Sequence, residues 1–399
     1  MYFTVHADSG GFTGQLYQFA SLYSLGRSLN LKYVFTPLRS ARSSGRIYEF
    51  LGFDAYLRSR GVSPVRRRAL MATARRVDVP LNDRILEHAG VTTYDGLREY
   101  VARSIAERRS RVPGRPTMAI LRWLPKSNSG HFLRWRGEDF VSRDDLDFRD
   151  GYFRYGGGGQ WRSPFQPAPV RMLVHMRLGD TAGVRTPWGT YIGLTGPDAF
   201  REVPVDRDRA AGVHIHPDDY LEFVNTVCAG ERGDRISVLF CSDGYQRTVQ
   251  HIVMNAGRIG LSREQVDELR ALAPQLDENT VEMLTRGEGH RAAIGETDEN
   301  LFDLVHASME ADIIVFGDHQ KFIPKLISAF GSRARRPLLV ALYRGAQPPD
   351  FNMLPDLEAK ATVVTHRLGD DDGVLAVRKL VSRVVGEAMG GRPGFVASR

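Results

Sequence analysis

The chain has 399 residues, 42% of them hydrophobic and 25% charged, with a formal net charge of +7. At ~100 to 200 residues per domain this makes two or three compact units, each long enough to bury a core. The composition excludes a disordered, collagenous or coiled-coil chain, and Cys228 and Cys241 are too few for a disulfide framework or a cysteine-based metal site.

The opening, MYFTVHADSGG, has neither a basic nor an apolar leader region. No run approaches the ~18 apolar residues of a membrane span, so a cytoplasmic location is expected. Arg carries nearly all the positive charge, Lys occurring only at positions 32, 126, 321, 325, 360 and 379. The surplus lies in RSRGVSPVRRRALMATARR (58–76) and ARSIAERRSRVPGR (102–115), while 262–312 is acidic. A positive first half attracts an anionic partner or an anionic membrane surface, and peripheral contact with the inner membrane surface is one expectation. The Arg-rich stretches lack the interleaved aromatics of a nucleic-acid interface, so nucleic acid is not the expected partner.

In chain order, YFTVHA (2–7) reads as a strand, DSGGFTGQ as a glycine turn, and LYQFASLYSLGRSLN (16–30) as a helix with Leu16, Phe19, Ala20, Tyr23 and Leu29 at helical spacing. KYVFTPL (32–38) is a second strand, which completes a βαβ unit and favours a parallel sheet. From 45 to 150 the pattern is helical and irregular, with the aromatic segment Trp123 to Trp135 inside it. FRYGGGGQWRSPFQPAP (153–169) resists regular structure, and a domain boundary is expected near 155–169.

The alternation of strand and helix then restarts with the strand VRMLVHMRLGD (170–180) and a helix at 217–229. RISVLFCSD (235–243) is the next strand, followed by helices near 245–256, 262–272 and 299–311. DIIVFGD (312–318), the helix KFIPKLISAFG, PLLVALY (337–343) and a helix at 373–389 complete the chain. The expected fold is α/β: two Rossmann-like lobes with a ligand cleft between them and a C-terminal helix. The expected divisions are 1–160, 161–370 and 371–399.

Three strand ends carry candidate chemistry. In VHMRLGD, His175 and Arg177 share one side of the strand and Gly179 lets the chain turn; Arg177 presents a planar fork to a diphosphate, and Asp180 can hold it or act as a base. In LFCSDG, Ser242 and Asp243 suit ribose or base contacts, although Ser-Asp-Gly also makes turns and helix caps. In VFGDHQKF, His319 and Gln320 lead into a helix whose N-terminus can hold phosphate, and Asp318 there acts equally well as a cap. The N-terminal loop with Gly10, Gly11, Gly14 and Gln15 permits close backbone approach, but it has neither dinucleotide-binding nor P-loop spacing. His214 and His216, with Asp218 or Asp219, are a weak metal pattern, and no metal site is expected.

Taken in order, GGFTGQ, VHMRLGD, FCSD and DLVHASMEADIIV resemble the bacterial α-1,2 and α-1,6 fucosyltransferases, the nodulation-type fucosyltransferases and the protein O-fucosyltransferases. The resemblance covers about a tenth of the residues. It implies a GT-B fold and an inverting, metal-independent transfer of fucose or a related deoxyhexose from a GDP-sugar to a glycan or glycosylated small molecule, with no cofactor. It puts Arg177 on the β-phosphate, His175 and Asp180 in the same pocket, Ser242 and Asp243 near the guanosine, and the Gly10 to Gln15 loop over the diphosphate. In this chain the histidine is followed by one arginine where the family often has two, and Asp318, His319 and Gln320 replace a Ser/Thr-Phe segment. Asp8 is the expected base for the acceptor, with Asp180 behind it, and the acceptor is expected over Trp123 to Trp135. Alternatives are a transferase using another nucleotide sugar, or a non-catalytic polyanion-binding protein on a decayed transferase scaffold.

Overall fold

The computed structural model describes residues 1–7, 12–37, 46–109, 115–124, 147–178, 183–194, 200–204, 215–231, 234–295, 297–317, 322–332, 334–345, 347–349 and 357–390. They group into two units. The first comprises Met1–Trp161, Pro324–Ser332 and Asp350–Ala359; the second comprises Arg162–Ile323, Arg333–Pro349 and Lys360–Arg399.

The first unit is built on four parallel strands, β1 (Tyr2–Ala7), β2 (Lys32–Tyr33), β3 (Arg75–Leu81) and β4 (Thr117–Trp123), in the order β2-β1-β4-β3. Helix α1 (Phe12–Ser28) joins β1 to β2 and lies so close to the sheet that a Cβ on Gly26 would fall 2.4 Å from the Phe3 ring. Only glycine allows that approach. Around it Phe3, Phe19, Tyr23 and Tyr33 pack with ring centroids 5.1 to 6.0 Å apart. Burial there pushes the Tyr33 hydroxyl far above its ordinary pKa. Helices α2 (Arg46–Phe50), α3 (Phe53–Arg60) and α4 (Pro64–Thr73) follow β2. Pro64 and the Ser63 cap start α4, and its Leu70 packs against Val34 and Met118. Helices α5 (Asp83–His88), α6 (Tyr94–Arg109) and α7 (Phe148–Tyr155) complete the unit, with Phe148 stacked near Phe53 and against Phe330 from the returning segment.

The second unit holds six parallel strands, β5 (Val170–Met176), β9 (Ile236–Ser242), β10 (His290–Ile294), β11 (Ile313–Gly317), β12 (Leu338–Tyr343) and β13 (Thr362–Arg367). Their order is β10-β9-β5-β11-β12-β13, which in chain order is the doubly wound 3-2-1-4-5-6 arrangement. Between β5 and β9 an antiparallel meander of β6 (Val184–Arg185), β7 (Thr190–Leu194) and β8 (Phe200–Pro204) is inserted. Its Val184 and Ile192 pack on helices α9 (Gly244–Met254) and α10 (Arg263–Leu284). Helix α8 (Pro217–Val227) precedes β9, α11 (Asp298–Glu310) precedes β11, and α12 (Phe322–Phe330) follows it.

The two units divide the chain differently from 1–160, 161–370 and 371–399. The segment 161–370 is not one lobe, because residues from Pro324 to Ser332 and from Asp350 to Ala359 return to the first unit. Helix α13 (Asp371–Met389) belongs to the second unit, with its Val377, Val381 and Val385 buried in the core shared by β5, β9, β11 and β12. Near the N-terminal ends of β5 and β11, Glu310 accepts from Ser163 at 2.6 Å and pairs with Arg171 at 3.1 Å and His306 at 3.3 Å. Asp312 accepts from the Arg171 N–H at 3.0 Å and from Arg335 at 2.9 Å.

Candidate functional site

In the second sheet the chain leaves β5 in one direction toward β9 and β10 and resumes on the other side at β11, so the reversal of strand order lies between β5 and β11. Open α/β sheets bind ligands beyond the strand ends at this point. His175 occupies the penultimate position of β5, between Cys241 on β9 and Phe316 on β11. It is 7% exposed, and its imidazole lies 5.4 Å from the Phe322 ring at the start of α12. Arg177 is the first residue past the strand and is half-buried.

The backbone at Leu178, after Arg177, is held from the neighbouring helix. The Leu178 N–H donates to Asp243 at 3.0 Å, and its carbonyl accepts from the Thr248 hydroxyl at 2.6 Å. Asp243 thus spends one carboxylate oxygen on the backbone beside Arg177, while the other lies 4.0 Å from Arg247. The Ser242 hydroxyl accepts from the Gly244 N–H at 3.1 Å. Both residues expected at the guanosine therefore also serve the local backbone.

A residue that the motifs did not single out closes the next helix. Asp277, 8% exposed on α10, accepts the N–H groups of Tyr245 and Gln246 at 2.6 and 3.4 Å. Burial raises its pKa, against the lowering effect of those two bonds. The N-terminus of α9 is thereby occupied by a carboxylate and does not offer its N–H groups to a phosphate. Gly244, at φ +79°, is needed there, since a Cβ would lie 2.9 Å from Asp277 Oδ1.

Other expected positions are corrected. Gly14 and Gln15 lie within the first turn of α1 and not in a loop, because the helix begins at Phe12. Gln15 is 2% exposed and its Oε1 accepts from the Tyr48 hydroxyl inside the first unit, so it is not available as a hydrogen-bonding group at the surface. Trp123, the last residue of β4, is 2% exposed and cannot offer a ring face to a sugar. In the weak metal pattern, Asp219 accepts from the His216 N–H at 2.8 Å and pairs with Arg344 at 2.6 Å. Among the described residues no His, Cys, Asp and Glu group has metal-binding arrangement, and no helix is long and apolar enough to cross a membrane. Asp8, Gly10, Gly11, Gly179, Asp180, His214, Asp318, His319 and Gln320, together with Trp135, lie outside the described residues.

The first unit carries a polar group that the sequence did not disclose. On the sheet face shared by Tyr2, Thr4 and His6, the register places His6 beside Arg122 of β4. Arg122 pairs with Asp78 of β3 at 2.6 Å. The opposite face holds Phe3, Val5, Leu121, Trp123, Val77, Val79 and Leu81, all buried. A covered parallel sheet is normally apolar on both faces, so exposed His6 and partly exposed Arg122 near the ends of the two central strands stand out. The shallow groove lined by Leu221, Glu222, Asn225, Thr226, Ala229 and Arg378 contains none of the candidate residues.

No protein-family model matches the chain, and no curated protein matches it.

Proposed function

We propose that the protein is a GT-B-like glycosyltransferase that moves fucose or a related deoxyhexose from a GDP-sugar to a glycan or a glycosylated small molecule. The observation that carries this reading is Arg177, set directly after β5 at the strand-order reversal, with the following Leu178 tied at both its N–H and its carbonyl. A guanidinium carried on that anchored backbone suits the bidentate capture of a diphosphate.

In the proposed reaction an acceptor hydroxyl oxygen attacks the anomeric carbon while the bond from that carbon to the β-phosphate oxygen breaks. The electron pair leaves with the diphosphate, whose growing charge Arg177 offsets, and the proton passes to a base on the acceptor side. His175 donates to the phosphate or braces the loop. Asp243, which also faces Arg247 at 4.0 Å, stands near the guanosine in this reading.

The test is the thermal unfolding midpoint with GDP, UDP, ADP and CMP in low and high salt, on the full chain and on Arg177→Ala. A ligand at ~100 times its dissociation constant adds about 2.7 kcal/mol. A GDP-specific shift that survives salt and is lost in Arg177→Ala is expected. A shift with another nucleotide changes the donor, and no selective shift overturns the reading.

A further inference from the structure

Between Asp54 and Asp78 the chain has seven arginines and no acidic residue. Helices α3 and α4 of the first unit bring Arg58, Arg60, Arg66 and Arg68 to the surface, with Arg67 half-buried. Four of the five are stacked on rings: Arg58 and Arg67 lie 5.1 and 5.3 Å from the centroid of Phe35, Arg66 lies 5.3 Å from Tyr2, and Arg60 lies 5.2 Å from Tyr56. Stacking fixes the guanidinium planes and leaves N–H edges for anions. Arg66 also donates to the Tyr2 hydroxyl, and Arg67 donates to the Phe35 carbonyl at 2.8 Å. Among the described residues Arg58 pairs with Asp54 at 3.9 Å, between exposed groups, and this contact is therefore weak.

The helix does not gain from this charge. The first turn of α4 has no acidic residue, and Arg66 to Arg68 stand near its positive end, where cations are disfavoured. A partner bringing negative charge removes that conflict. The rings under Arg58, Arg60 and Arg67 disfavour two classes of polyanion that are held by stacking. Phe35 and Tyr56 are each 1% exposed, so neither offers a face on which a base or a sugar ring can stack. Val65, one residue before Arg66, is 77% exposed. An anionic bilayer satisfies both features, with headgroup phosphates for the guanidiniums and an acyl boundary for the valine.

We infer that the surface of α3 and α4 docks the protein on an anionic phospholipid bilayer. This is independent of the transferase reading. The full chain should sediment with vesicles of phosphatidylcholine mixed equally with phosphatidylglycerol, not with phosphatidylcholine alone, and binding should fall as salt rises. Arg60→Gln and Arg68→Gln should each lower the partition coefficient about fivefold, multiplying in the double variant. Arg383→Gln, an exposed position on α13 in the second unit, removes the same charge and should leave it unchanged. Unchanged unfolding midpoints establish that the variants are folded. Equal losses in Arg383→Gln and Arg68→Gln would reduce the effect to net charge and overturn the surface. Failure to bind the anionic vesicles also overturns it, as does binding to heparin or DNA, impaired by the same two variants, in place of vesicles.

Discussion

The Asp243 carboxylate accepts the Leu178 N–H at 3.0 Å, across 65 residues of sequence, so the end of β5 is locked to the start of α9. Removing the carboxylate strands a partly buried backbone donor, which costs about 1–3 kcal/mol. Asp243→Ala should therefore lower the urea midpoint, while Asp243→Asn, which keeps an acceptor oxygen, should recover most of the loss. In the transferase reading the alanine variant also weakens GDP, because Arg177 loses its fixed position. A fully stable Asp243→Ala would show that the bond carries no weight.

Gly244 and Asp277 form the second lock. A side chain at φ +79° costs about 1–2 kcal/mol, and here the Cβ also presses on a carboxylate that caps the helix. Gly244→Ala should destabilise by at least that amount in urea unfolding. Truncating Asp277 as well should not rescue it, because the Tyr245 and Gln246 N–H groups then lose their acceptor.

These locks explain which parts of the site the sequence displays. The long apolar runs of β5, β9 and β11 announce a parallel sheet, and a strand that is apolar until His175 and Arg177 announces a functional end. That Asp243 serves a backbone N–H depends on which loop the fold brings beside it, a non-local fact. The strands RRVDVPL and TMAILRW are hidden in the sequence because each carries arginine and a proline interrupts the first. Pro80 is tolerated because β3 is the edge of its sheet. With β4 hidden, the neighbourhood of His6 and Arg122 does not show in the sequence. Likewise α10 was expected to stop near 272 before Pro274, yet it runs on to Leu284, and the continuation carries Asp277.

Glu310 gives the stability a pH dependence. Burial alone would raise its pKa, but the hydrogen bonds from His306 and Ser163 and the charges of His306 and Arg171 outweigh this and hold it at about 2. A carboxyl lowered in the folded state contributes stability that is fully present above its unfolded value near 4.5 and is lost as pH falls toward 2. The difference corresponds to about 3 kcal/mol as an order of magnitude. Urea midpoints measured from pH 6 to pH 2 should fall across that window, and Glu310→Gln should be less stable at pH 6 with a flatter acid limb. An acid limb unchanged in the variant would assign the loss to other carboxylates.

In the transferase reading, His6 and Arg122 are candidates for contact with the acceptor. Both belong to the first unit, at the ends of its central strands, and Arg122 is oriented by Asp78 at 2.6 Å. The Arg122 and Asp78 side chains are 33% and 44% exposed, so breaking the pair should shift the unfolding midpoint little. In the transferase reading, Arg122→Gln should raise the acceptor KM while leaving GDP binding intact, and Asp78→Asn should do the same more weakly by freeing the guanidinium. His6→Ala separates two roles. If the imidazole takes the acceptor proton, kcat falls by about 10²–10⁴ and small bases in solution restore part of it; if it only contacts the acceptor, KM rises with kcat preserved. Wild-type acceptor kinetics in both His6→Ala and Arg122→Gln would move the acceptor away from this end of the first sheet.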